Sequence, residues 1–417
     1  MLYEFFQWLE DCCNIPGAGL FRFISFRAGM AVVISLLISM VYGGRIVRYL
    51  QKLQIGETVR DLGLEGQKKK EGTPTMGGVI IILAIVIPCI LMADLSNVYI
   101  LLMLLATLLM GAIGFLDDYI KVFRKNKEGL SGIFKVLGQV AFGLIIALTM
   151  LFNEDIVVRV GLAEAQEKGY QVVKTDIIQD EAGNKTEYAY VKTTLTNVPF
   201  FKGNNFDYRT LLWFLGDNAA VWVWVVFVPI VIFIVTAVSN AANLTDGLDG
   251  LATGVSGIIG FTLAIFSYVS GNSIAAEYLN IHFIPGSGEL VIFSSCFLGA
   301  SIGFLWYNSH PAQIFMGDTG SLTLGGIIAA MAILLRKELL IPLLCGIFLM
   351  ENLSVVLQVA YFKYTKKRYG EGKRILLMAP LHHHYQKKGM PETKIVTRFW
   401  IVGLLLAVLT ILTLKIR

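Results

Sequence analysis

The chain has 417 residues, of which 55% are apolar and only 16% charged, with a mean hydropathy of +0.66. That balance excludes an ordinary soluble domain and describes a protein built to sit in a bilayer. The net charge of +5 is small, so where the charges fall matters more than their sum, and nothing in it calls for a nucleic-acid partner.

Met1–Gly19 contains Glu4, Glu10 and Asp11 and lacks the basic start and apolar core of a cleavable signal. Uncharged stretches then recur at Ala28–Gly44, Gly72–Ala93, Ser96–Leu116, Val136–Asn153, Asn218–Thr245, Gly250–Ala276, Leu290–Ser309, Thr319–Leu335, Leu339–Phe362 (interrupted by Glu351) and Phe399–Leu414. These predict an all-α polytopic membrane protein of about ten transmembrane helices, one domain over 1–417. The five cysteines show no CxxC spacing, so neither a zinc site nor a disulfide framework is expected.

Lysine and arginine concentrate in three connections: Arg45 to Lys70, Lys121 to Lys135, and Lys363 to Arg398. All three join the same side, which makes that side cytosolic and both termini periplasmic. The short connection Arg336-Lys337-Glu338 runs weakly against this assignment. The long outer connection, 154–217, mixes ten acids with seven bases. Within it, Gln171–Gln179 and Lys185–Thr194 are rich in Val, Ile, Tyr and Thr, and flank Asp180–Asn184. That pattern predicts a β-hairpin in an extracytoplasmic insertion. No internal repeat is apparent, which weakens a secondary-transporter reading.

Polar residues gather at the cytosolic span ends. Asp117, Asp118 and Lys121 close the third span, and Lys135 precedes the fourth. Asn243, Asp246 and Asp249 lie between the fifth and sixth, Asn308, His310 and Asp318 between the seventh and eighth, and His382, His383 and His384 between the ninth and tenth. Lys70 and Thr75 precede the second. Each has a bland alternative: a solvated helix end at Asp117-Asp118, turn-forming Asx residues at Asp246 and Asp249, a helix N-terminus at Thr73-Pro74, and internal pairing for Glu351. Gly72–Gly78 is not a P-loop, because no Gly-Lys-Ser/Thr follows. Together, carboxylates and lysines on one face suit Mg²⁺ and a phosphorylated substrate. Asp246 and Asp249, spaced i, i+3, are expected on one side of a helical turn. The glycines beside the acids (Gly247, Gly250, Gly317, Gly320) are expected to let the backbone approach a ligand.

The set Lys70-x-Gly-Thr-Pro-Thr-Met-Gly-Gly78, Asp117-Asp-Tyr-x-Lys121, Asn243-Leu-Thr-Asp-Gly-Leu-Asp-Gly250, Asn308-x-x-Pro-Ala-x-x-Phe-Met-Gly-Asp318 and Pro380-Leu-His-His-His384 resembles the phospho-N-acetylmuramoyl-pentapeptide-transferase (MraY-type) family. This family lies within the polyprenyl-phosphate hexose-1-phosphate transferases, and the motifs run along nearly the whole chain. The resemblance implies a Mg²⁺-dependent enzyme of the bacterial inner membrane, its active site facing the cytosol. Such an enzyme transfers phospho-MurNAc-pentapeptide from UDP-MurNAc-pentapeptide to undecaprenyl phosphate, giving lipid I and UMP, the first membrane step of peptidoglycan synthesis. A homodimer is also implied.

Carried over by motif, Asp318 is the main metal ligand, Asp117 the base at the lipid phosphate and Asp118 a metal-side helper. Asn243, Asp246 and Asp249 lie toward the uridine and pyrophosphate, with Lys70, Thr75, Lys121, Lys135 and Asn308 nearby, and the histidines form a pocket wall. A sister enzyme using UDP-N-acetylglucosamine would share the aspartates. The unbroken triple histidine and the Gly-Thr-Pro-Thr-Met-Gly-Gly run favour the muramoyl-pentapeptide substrate. Two departures stand out: the long insertion, and Gln386 where many members carry a glutamate.

Overall fold

The computed structural model describes residues 2–13, 16–53, 72–124, 126, 128–179, 185–198 and 205–415. Lys70 and the expected hairpin turn 180–184 lie outside them.

Helix α1 (Leu2–Cys13) precedes α2 (Ile24–Leu37), which continues through one π-helical turn into α3 (Gly43–Lys52). Then come α4 (Gly78–Met92), α5 (Val98–Phe123) and α6 (Gly132–Phe152). The insertion contributes β1 (Val158–Gly161), α7 (Leu162–Glu167), β2 (Gln171–Gln179), β3 (Lys185–Lys192), β4 (Leu195–Asn197) and β5 (Asn205–Asp207). Helices α8 (Ala219–Trp222), α9 (Trp224–Thr245), α10 (Leu251–Gly271), α11 (Ser273–Leu279), α12 (Glu289–Asn308) and α13 (Gly317–Leu334) follow. The chain ends with α14 (Ile341–Leu344), α15 (Gly346–Tyr369), α16 (Leu381–Lys387) and α17 (Glu392–Leu412).

Among the described residues, eight helices are long and apolar enough to cross a bilayer, or nine if the segments Glu338–Leu344 and Gly346–Tyr369, bent by 78°, count as one span. The expected second span is shorter than its charge-free stretch. α4 has 15 residues, roughly 22 Å at 1.5 Å per residue, less than a bilayer core of about 30 Å. The missing turns went to another use. Rather than capping a helix, Thr73-Pro74 leads into a stretch paired with the approach to α13. Phe315 N donates to Pro74 O at 2.8 Å, Gly77 N to Phe315 O at 2.9 Å and Gly78 N to Met316 O at 2.8 Å.

α13 is the axis of the bundle. Of its residues 89% are buried, packed against α4, α5, α9 and α10. Small residues make this possible. A Cβ on Gly325 would stand 2.5 Å from Ser239 Cα, and one on Gly78 2.1 Å from Gly320 N. α12 packs against α2, α4 and α10 as a second layer.

Helix ends sort onto two faces. On one, buried Arg27 forks onto Glu289 at 2.6 and 2.9 Å and donates to Met92 O, while Lys415 Nζ donates to Tyr278 O. The insertion caps this face. Its sheet runs β1-β3-β2, all antiparallel, and a two-stranded β4-β5 ribbon lies beside it. The expected hairpin is present, with Gln179 opposite Lys185 and β1 added at its other edge.

The connection that runs against the charge asymmetry lies on this face. Arg336, Lys337 and Glu338 are buried beneath the insertion. Asn197 N and Thr196 Oγ1 donate to Arg336 O, Tyr208 OH donates to Glu338 at 3.0 Å, and Lys337 Nζ donates to Asn197 Oδ1. These groups are tied into the packing beneath the insertion.

Candidate active site

The opposite face gathers the sequence-predicted residues, in three groups. The first lies where α5, α6, α9 and α13 meet. Asp117 and Lys121 are one turn apart on α5, so the lysine folds back onto the carboxylate, Nζ to Oδ2 2.5 Å. Lys135, in the first turn of α6, reaches Asp117 Oδ1 at 2.9 Å. Both lysines also reach Asp318 Oδ2, at 3.2 and 2.7 Å. Two cations thus bridge two carboxylates. Leu130 N donates to Asp117 Oδ1, and Asn243 Nδ2 donates to Asp318 Oδ1 at 2.8 Å and to Ser321 Oγ.

Asp118 points away from the lysines, as expected for adjacent helical residues about 100° apart. Its carboxylate closes the N-terminus of α13, accepting from Asp318 N at 3.1 Å, Thr319 N at 2.9 Å and Thr319 Oγ1 at 2.6 Å. Two orphan backbone donors of that helix start are satisfied in this way, with the Thr319 hydroxyl as a third donor, and the acid sits at the positive end of the helix dipole. Asp118 therefore fixes where Asp318 stands. Oxygens of Asp117, Asp118 and Asp318 lie within 4.8 Å of one another. They are hard ligands of the kind Mg²⁺ takes, and Lys121 and Lys135 beside them suit phosphate oxygens.

The second group braces the connections. Helix α9 ends at Thr245, and Asp246 and Asp249 occupy the turn beyond it, not one side of a helix as expected. Asp249 is buried, and its Oδ2 accepts from Ala312 N at 3.1 Å and meets His310 Nδ1 at 3.0 Å. Glu392 Oε1 accepts from Asp249 N. Asn308 is also buried and spends its amide internally. Oδ1 accepts from Gly250 N and Thr253 Oγ1, and Nδ2 donates to Ile314 O. Asp246 is half-buried at the end of α9.

The third group is the histidine helix α16, whose three rings diverge. His382 is buried, its Nδ1 3.0 Å from Glu351 Oε2. His383 Nδ1 meets Gln386 Oε1 at 2.7 Å. His384 Nδ1 accepts from Leu377 N at 3.1 Å, and partial burial, with Lys388 nearby, lowers its pKa.

Glycines beside the acids make room for the protein's own groups. A Cβ on Gly247 would meet His382 Nε2 at 2.2 Å, and one on Gly317 would meet Asp118 Oδ2 at 2.5 Å and Thr75 Oγ1 at 3.0 Å. Thr75 is accordingly buried at the start of α13. Sequence reasoning missed Gly114, which sits inside an apolar run, and Thr319 and Ser321, which follow Asp318 with no pattern of their own to mark them. Lys121 was marked by its i, i+4 spacing from Asp117.

Comparison of the sequence with known proteins identifies a family. Residues 70–82 match the phospho-N-acetylmuramoyl-pentapeptide-transferase signature 1, and 172–336 match glycosyl transferase family 4. The chain is 58% identical to a phospho-N-acetylmuramoyl-pentapeptide-transferase of Flavobacterium psychrophilum over 417 residues, all of both chains. The chain belongs to the phospho-N-acetylmuramoyl-pentapeptide-transferase family. Relatives of the same name from Flavobacterium johnsoniae and Parabacteroides distasonis are each 56% identical, again over the full length of both chains. The signature of these transferases spans the Pro74–Gly78 stretch that pairs with Phe315 and Met316. This stretch thus supports the helix start that carries Asp318.

Proposed function

We propose that this transferase moves phospho-MurNAc-pentapeptide from UDP-MurNAc-pentapeptide to undecaprenyl phosphate, releasing UMP and forming lipid I. The observation that carries the reading is the cluster in which Lys121 and Lys135 bridge Asp117 and Asp318, in a chain whose full-length relatives bear the transferase name. The basic connections read this face as cytosolic, with the termini and the insertion on the outer side. A soluble nucleotide and a lipid phosphate at the inner leaflet would meet there.

Asp318, with Asp118 beside it, would hold Mg²⁺. When bound, the ion would polarise the pyrophosphate and offset charge on the departing UMP. The chain's own groups do the rest. Lys121 and Lys135, pre-positioned by their carboxylates, turn to phosphate oxygens as these arrive and cost little reorganisation. Asp117, released from two cations, then takes the proton or fixes the orientation of the attacking lipid phosphate. Asn243 holds Asp318 in place, and Asp118 holds the helix start beneath it. The attack is a single displacement on the β-phosphate. UMP release by the purified protein from the two substrates, with and without Mg²⁺, tests the reading. Turnover of UDP-N-acetylglucosamine alone would refute it, and a phospho-sugar trapped on the enzyme without lipid would refute single displacement.

A further inference from the structure

The end of α15 and the chain beyond it carry Lys363, Lys366, Lys367, Arg368, Lys373 and Arg374 against one acid, Glu371. All seven are exposed. The partners of two of them are tyrosines. Arg368 Nη1 donates to Tyr364 OH, and Arg368 and Lys373 each lie 5.6 Å from the Tyr369 ring. None of the six cations makes an ion pair with a carboxylate among the described residues.

The arrangement is a built hairpin. Gly370, at φ +80, closes α15 in the left-handed conformation, and the chain folds back along the helix. Thr365 Oγ1 accepts from Lys373 N at 2.8 Å. Gln358 clasps the return arm with three bonds, accepting from Ile375 N and Leu376 N and donating to Leu376 O. Tyr364, Tyr369, Ile375 and Leu377 remain exposed between the cations. One more residue along, Leu377 N donates to His384 Nδ1. The hairpin is thus continuous with the histidine helix and lies on the site face.

We propose that this hairpin is a docking surface for the headgroups of anionic phospholipids in the leaflet on the site face. Fixing topology needs only the number of basic residues in a connection. It does not need them clustered on a clasped hairpin with aromatic and aliphatic side chains exposed among them. That mixture matches the headgroup layer, where cations meet phosphates while rings and stems lie against the acyl boundary. A seated headgroup would hold the return arm and, through Leu377 and His384, the setting of α16. The inference rests on the proposed membrane orientation but not on the identity of the transferred sugar.

The test uses the full chain purified in detergent and measures retained lipid by native mass spectrometry, with phosphatidylglycerol and phosphatidylcholine offered in equal amounts. Each basic residue near an anionic membrane surface is worth about a fivefold factor in partitioning. The double variants Lys366→Gln/Lys367→Gln and Lys373→Gln/Arg374→Gln should each cut phosphatidylglycerol retention by about 25-fold, two such factors, and leave phosphatidylcholine unchanged. In neutral nanodiscs both variants should match wild-type UMP release, which shows that they fold. In nanodiscs with phosphatidylglycerol, only the wild type should change its rate. Undecaprenyl phosphate is a separate arm: if the variants lose retention of that lipid and keep phosphatidylglycerol, the surface captures substrate and the proposal falls. Equal phosphatidylglycerol retention by wild type and both variants overturns it whatever the transferase activity.

Discussion

The first turn of α13 carries Asp318 and is wedged between two glycines, so its position is open to a sharp test. A Cβ on Gly114 would stand 2.2 Å from Asp318 O, 2.5 Å from Asp318 C and 2.6 Å from Thr319 Cα. These are backbone atoms, which cannot rotate aside. They fall short of a normal contact of about 3.5 Å by roughly 1 Å, so in Gly114→Ala the helix start must slide by that amount. Overpacking of this kind costs about 1–3 kcal/mol of stability. The chemical cost is of similar size but falls on the rate. Asp318 Oδ2 sits 2.7 Å from Lys135 Nζ and 3.2 Å from Lys121 Nζ, and a hydrogen bond lengthened by roughly 1 Å is no longer one. A misplacement of about 1 Å at a reacting centre costs on the order of 100-fold in rate. UMP release should therefore fall about 100-fold in a protein that still purifies as a folded species with a lowered Tm. Gly29→Ala, on α2 where nothing lies within 4 Å, serves as the control and should keep full turnover. Gly78→Ala attacks the same turn from α4, 2.1 Å from Gly320 N, and should reproduce the loss. Retention of more than half of the turnover by Gly114→Ala, at an unchanged Tm, would refute the idea that this backbone approach sets the site.

Replacing one member of the charge cluster should be as severe. Asp318→Asn and Asp117→Asn each remove a carboxylate that both lysines hold, and preorganised charge of this kind is worth on the order of 10²–10³ in turnover; near-normal UMP release by Asp117→Asn would remove that residue from the chemistry. Glu351→Leu takes the acceptor from buried His382 and should cost about 1–3 kcal/mol in thermal or denaturant unfolding, whereas Glu351→Gln, which keeps an acceptor oxygen, should cost less. Burial beneath the insertion lowers the Lys337 pKa from 10.5 to about 7. Between about pH 7 and 10 the unfolded chain therefore binds a proton that the folded chain does not, and this residue makes stability rise with pH across that window. Lys337→Met should flatten the rise of Tm over that range, and an unchanged slope would show that the amine titrates normally.

Much of the architecture was legible because bilayer crossing imposes length and apolarity on each segment, and the ends of most spans could be read within a few residues. The failures share one cause. Gly72–Thr75 is uncharged, as a span should be, yet it pairs its backbone with Phe315 and Met316, and hydropathy cannot distinguish a helix turn from an apolar strand-like contact. The bend before α15 was hidden in the same way, inside a continuous apolar run.

In the site, sequence exposed the groups whose partners lie one turn away, such as Asp117 and Lys121, and grouped the rest by face. It could not assign them tasks, because the tasks depend on contacts across many residues of chain. Asp118 and Asp117 are neighbours, yet one braces the start of α13 and the other receives two lysines. Asn308 and Asp249, both marked as ligand-binding by motif, direct most of their hydrogen bonds to the connections around them. A motif shared across a family preserves positions without separating those that touch substrate from those that hold the touching residues still. Here α13 draws the two kinds together: its first turn carries the central carboxylate, and Asp118, Asn243, Thr75 and the glycines of α4 and α5 all converge on that turn. A site held from so many sides should respond to a displaced backbone about as strongly as to a lost charge, which is why the Gly114→Ala and Asp318→Asn proteins belong in the same experiment.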